Sequence, residues 1–98
     1  MRVLTEAVQF KADAKLLEFI EEKLGKLEKL YDQIINAKVK LRLENSGKVK
    51  DKIVEISLNV PGDMLFAKSS SKTFEEATDD TVKALERQLK KFKSKFAH

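Results

Sequence analysis

Apolar residues recur along this chain in two rhythms, and the switches between them mark six elements. The stretch "RVLTEAVQF", residues 2–10, is rich in β-formers and predicts a strand with an irregularity near Glu6–Ala7. Asp13 can then cap a helix, its carboxylate accepting a free backbone N–H of the first turn. Leu16, Leu17, Ile20, Leu24, Leu27 and Tyr31 follow at helical spacing, the apolar face of an amphipathic helix with Gly25 on its polar side. Next the period drops to two. Ile35, Ala37, Val39, Leu41 and Leu43 alternate with Asn36, Lys38, Lys40, Arg42 and Glu44, which predicts a half-buried strand. "SGKVKD" reads as a polar connection, and "KIVEISLNV" alternates again with Val54, Ile56, Leu58 and Val60 inward. A turn at Pro61–Gly62–Asp63 leads into a short strand, "MLFAKSS". There Leu65 and Ala67 face one side, Met64 and Phe66 the other. Thr73 and Glu76 have the spacing of a capping box. Beyond them Phe74, Thr78, Thr81, Leu85, Leu89, Phe92 and Phe96 keep to one helical stripe.

The order β-α-β-β-β-α predicts an α+β fold, a two-layer sandwich of one four-stranded sheet with both helices on one face. The last three strands, joined by short connections, form an antiparallel meander. The first strand reaches the second across a helix, so those two run parallel. Residues 1–98 make one domain.

Composition narrows the picture. Ninety-eight residues with 42% apolar content are enough for one modest core. The absence of cysteine excludes disulfides and thiolate metal sites. No apolar run approaches the ~20 residues of a membrane span, and "MRVLTEAVQF" lacks a signal-peptide pattern. A cytoplasmic protein without membrane contact is expected. The single histidine is the last residue, His98, and the glycines are isolated. The acids Glu75, Glu76, Asp79 and Asp80 lack a further fixed oxygen donor and read as a solvated helix start. The sequence therefore predicts no enzyme, cofactor, metal or small-molecule substrate.

Net charge is +4, which favours an anionic partner. The charge concentrates in "KALERQLKKFKSK", residues 83–95, with six basic residues against Glu86. Helix-end chemistry accounts for Lys93 and Lys95, because cations near a C-terminus complement the macrodipole. That effect fades beyond the last turn, and Lys83 and Arg87 lie further back. At 100° per residue, Lys83, Arg87 and Lys90 stand about 140–200° from Leu85, with Lys91 near 240°. They form one outward ridge, whose mutual repulsion a phosphate backbone would relieve. Lys38, Lys40 and Arg42 form a second row on the open sheet face, read as a solvated strand face because little aromatic surface accompanies it. Contacts to phosphate and ribose, with recognition of shape, are expected.

These residues also carry a family likeness. Val60–Pro61–Gly62, Phe66–Ala67 and Arg87–Gln88–Leu89–Lys90–Lys91 stand in one order. In the first helix come Glu22, Lys23, Leu24, Lys26, Leu27, Glu28, Tyr31 and Asp32. Over nearly its whole length the chain resembles the ribosome hibernation promoting factors, also called ribosome-associated inhibitors. The resemblance implies a fold similar to double-stranded-RNA-binding domains. It implies binding to the small ribosomal subunit in the messenger and transfer RNA channel, and silencing of translation under stress or in stationary phase. It assigns ribosomal RNA contacts to Arg87, Lys90 and Lys91, and also to Lys83, Lys23 and Lys26. Relatives often carry Asp-Lys-Leu where this chain reads Lys83–Ala84–Leu85, a shift of the lysine by one position. By the same resemblance the chain looks like a short form, expected to have no C-terminal dimerisation domain. A monomer off the ribosome is expected. The alternatives are a generic double-stranded-RNA-binding module, or a protein-interaction module using Phe66 and Met64 on the open sheet face.

Overall fold

The computed structural model describes residues 1–46 and 49–95. Phe96, assigned above to the last helical stripe, lies outside the described residues, as do His98 and Gly47. Six elements follow in the expected order: β1 (Arg2–Ala7), α1 (Ala14–Leu30), β2 (Asn36–Ser46), β3 (Val49–Val60), β4 (Asp63–Ser71) and α2 (Phe74–Ser94). The sheet order is β1-β2-β3-β4. β1 runs parallel to β2, and the other two pairs are antiparallel.

Local chemistry sets the boundaries. The first strand stops at Ala7, earlier than the β-rich run to Phe10 predicts, because the chain reverses at Gln9, which adopts φ 62°. The Asp13 carboxylate caps α1 by accepting the Leu16 N–H at 2.8 Å. The Thr73 hydroxyl caps α2 by accepting the Glu76 N–H at 3.1 Å. The carboxylate of Glu76 accepts a bond from the Ser71 hydroxyl at 2.6 Å, fastening the end of β4 to the helix start. In the β3–β4 turn Pro61 fixes one φ, and Gly62 supplies the positive φ, 81°, that a type II turn needs at its second central residue.

The core lies between the helices and one sheet face. Ile20, Leu24 and Leu27 of α1 and Leu85 and Leu89 of α2 pack over Val39, Leu41, Val54, Ile56 and Leu58, all essentially without solvent exposure. The helices run parallel. Phe10 stacks on Phe74 near both helix starts, centroids 5.2 Å apart. Tyr31 meets Phe92 edge-on near both helix ends at 5.7 Å.

Three strand expectations need correction. Ile35 does not join the core; it is 57% exposed, and Ile34, just ahead of β2, is buried instead. Leu43 keeps its parity but is 52% exposed. β1 ends opposite Leu41 and β4 ends opposite Lys52, so the β2–β3 hairpin continues beyond its neighbouring strands, and the helices leave Leu43 uncovered. The predicted polar connection is mostly strand, since pairing runs to Ser46↔Val49.

Two substitutions in α2 test this packing. Leu89→Ala should cost about 2–5 kcal/mol of unfolding free energy, the usual range for truncating a fully buried leucine. The buried Thr78 hydroxyl has no hydrogen-bond partner among the described residues. Thr78→Val should therefore be neutral or stabilising, by up to about 1 kcal/mol. Urea titration reads both, and a large loss for Thr78→Val would mean that its hydroxyl is satisfied.

Candidate nucleic-acid interface

The α2 stripe that enters the core decides what its opposite side presents. With Leu85, Leu89 and Phe92 against the sheet and α1, the side chains of Lys83, Arg87, Lys90 and Lys91 are exposed on the outer side of the helix. Among the described residues, Lys83, Arg87 and Lys91 have no ion-pair partner. Lys90 has Glu86 at 3.5 Å, one turn before it. Both members of that pair are well solvated, so it restrains Lys90 weakly.

α1 contributes from across a shallow groove between the helices, lined by Lys23, Lys26, Asp79, Lys83 and Glu86. Lys26 is exposed at its rim. Lys23 sits lower and is half-buried. Its ammonium lies 3.1 Å from the Asp79 carboxylate and 5.3 Å from the centre of the Phe19 ring. The hydrogen bond to Asp79 raises its pKa above the ordinary lysine value, burial opposes the rise, and the Asp79 charge adds to it. Lys23 thus ties α1 to α2, whereas Lys83, Lys26 and the α2 ridge project from the layer. The structure brings five of the six predicted residues, Lys26, Lys83, Arg87, Lys90 and Lys91, onto one helical surface as solvated cations, with Lys23 bound at its base.

Two neighbours of the ridge have roles that sequence reasoning did not assign. The Lys93 ammonium donates to the Leu30 carbonyl at 2.8 Å, capping the C-terminal end of α1 rather than of its own helix. The Gln88 amide donates to the Phe66 carbonyl at 2.8 Å, which fastens α2 to the edge strand β4. Both contacts join residues far apart in sequence, so no local pattern signals them.

The open sheet face differs in character. Lys38, Lys40 and Arg42 project from β2 as expected, but the register sets acids beside them. Lys40 lies between Glu6 and Glu55, and the Arg42 guanidinium is 3.2 Å from Glu55. The face mixes both signs beside Lys40 and Arg42, whereas the ridge of Lys83, Arg87, Lys90 and Lys91 is positive throughout.

Fold and surface together define a small α+β domain whose helix layer presents cations and whose sheet face is mixed. The chain belongs to the Sigma 54 modulation protein / S30EA ribosomal protein family, whose sequence profile matches residues 3–97. Similar curated proteins are the ribosome hibernation promotion factor of Deinococcus radiodurans, 38% identical over 80 residues, and the ribosome hibernation promoting factor of Azotobacter vinelandii, 33% identical over 95 residues. The first match covers 81% of this chain but 42% of the Deinococcus protein; the second covers 97% and 85%. Among solved structures, a ribosomal subunit interface protein from Coxiella burnetii superposes with a TM-score of 0.84 at 26% identity, covering 96% of this chain and 99% of that one. The N-terminal domain of Thermus thermophilus Protein Y gives 0.79 at 28% identity, with 94% and 99% coverage.

The Lys23–Asp79 contact has a pH signature. A raised lysine pKa contributes stability that is fully present below the ordinary value, about 10.4, and is lost as pH rises through the raised one. Asp79→Asn should bring the Lys23 titration, followed by NMR at its ε-carbon, back toward the ordinary range. It should also flatten the alkaline loss of stability above about pH 10.4. An unchanged Lys23 titration would show that Asp79 is not its partner in solution.

Proposed function

We propose that this protein binds the small ribosomal subunit in the messenger and transfer RNA channel and silences translation there by occupancy. The ridge of Lys83, Arg87, Lys90 and Lys91, joined across the groove by Lys26, is the observation that carries this reading. These cations are solvated, and they stand on a helix locked to the sheet. They can therefore meet phosphates without reorganising the fold. The names of the curated relatives support ribosome hibernation as the setting; stationary phase or stress is the condition we propose for it. No chemistry is required of the protein, because its effect comes from filling a site that messenger and transfer RNA need. The partner is ribosomal RNA, recognised through phosphate, ribose and shape.

Co-sedimentation with purified small subunits over a salt series tests the proposal. With ~4–5 phosphates neutralised, a tenfold rise in salt should cost roughly three to five decades of affinity. Alanine at Arg87, Lys90 and Lys91 together should leave the fold intact by circular dichroism and weaken binding by at least about tenfold at low salt. Salt-independent binding, or full binding by the triple variant, would contradict the assignment. Unrelated RNA duplexes should compete poorly; effective competition would reduce the protein to a general double-stranded-RNA binder.

A further inference from the structure

The sheet face opposite the helices is built in transverse rows, and two adjacent rows at its centre match themselves under a two-fold axis. One row runs Glu6, Lys40, Glu55, Lys68 across β1, β2, β3 and β4. Its charges read minus, plus, minus, plus. The adjacent row runs Leu4, Lys38, Ser57, Phe66, placing an exposed apolar side chain at each edge. Leu4 and Phe66 are each 48% exposed, large apolar side chains that no other element covers. A shallow groove runs between them.

A two-fold axis parallel to the strands, passing between β2 and β3, sets β1 of one copy over β4 of another and β2 over β3. Rows then lie on rows. Glu6 faces Lys68, Lys40 faces Glu55, and Leu4 faces Phe66, each twice by symmetry. Such an isologous contact needs a surface complementary to itself, and the alternating row supplies one. A nucleic-acid backbone on the same face would meet Glu6 and Glu55 at every second position. We propose that this face is a self-association surface, and that its partner is a second copy of this chain packed sheet against sheet.

The size of the face sets the strength of the contact. Four strands at ~4.8 Å spacing and about six residues at ~3.4 Å give a footprint of roughly 400 Å² per copy. A standard stable interface buries about 800 Å² per partner. At about half that area the contact belongs with weak, transient interfaces, so its test extends to millimolar protein. Because the basic ridge lies on the other side of the molecule, this proposal stands or falls apart from ribosome binding.

Charge reversal tests it without removing any core contact. In sedimentation velocity on nuclease-treated protein up to about 1 mM, the wild type should show a concentration-dependent shift toward dimer. Lys40→Glu and Glu55→Lys should each raise the dissociation constant by roughly tenfold or more, since like charges then face each other. Each change also disturbs the Lys40–Glu55 neighbour pair within its own chain, and Glu55→Lys breaks the Arg42–Glu55 ion pair as well. An equimolar mixture of the two variants separates the effects. Each chain keeps its internal like-charge pair, but position 40 of one now faces an opposite charge at position 55 of the other. The mixture should regain dimerisation to about the wild-type level. A wild type that stays monomeric to 1 mM, or a mixture no more associated than either variant alone, would overturn the proposal. So would variants that dimerise normally but lose affinity for RNA, which would make the face a nucleic-acid surface.

Discussion

Both helices press their apolar stripes onto one face of one sheet, and the rest of the molecule depends on that burial. Leu85 and Leu89 have no solvent exposure, nor have Ile20 and Leu24 across from them. Once those four are inside, the rotation of each helix about its axis is set. Turning α2 by a quarter would bring a lysine toward the sheet, where an unpaired charge is too costly to bury. The basic ridge is therefore a consequence of the core: its residues point outward because no other rotation buries the stripe.

The parallel arrangement of the helices adds a second constraint. Their negative dipole ends lie together at the end marked by the Tyr31–Phe92 contact. Lys93 sits there and donates to the Leu30 carbonyl. The lysine-rich end of α2 thus serves two purposes that a one-dimensional view merges. Lys93 closes the neighbouring helix, whereas Lys90 and Lys91 remain available to an anionic partner. Asp79 makes a similar division in α1, where Lys23 is held between the helices and Lys26 is left at the surface.

Much of this was legible in the chain. Periodicity gave the six elements and their order, the two caps, and the inward residues of the strands from Ala37 to Leu41 and from Val54 to Val60. The Leu85–Leu89–Phe92 stripe gave the outward direction of the ridge by geometry alone. Other features depended on register and overhang, which strand periodicity does not contain. Ile35 and Leu43 alternate correctly, yet one precedes the sheet and the other extends past the helices. Ile53 lies on the open face and is still 5% exposed, for it stands between Arg42 and Ser70 in the sheet. The acids flanking Lys40 come from β1 and β3, so the row of β2 cations looked more basic in sequence than it is in the fold.

In the proposed complex the helix layer, not the sheet, meets ribosomal RNA. Lysine footprinting tests it directly: the protein is acetylated with and without saturating small subunits, and each lysine is read by mass spectrometry. Lys26, Lys83, Lys90 and Lys91 should be protected in the complex, while Lys38, Lys40 and Lys68 keep their reactivity. Protection of the sheet lysines with a fully reactive α2 ridge would contradict binding through the helix layer.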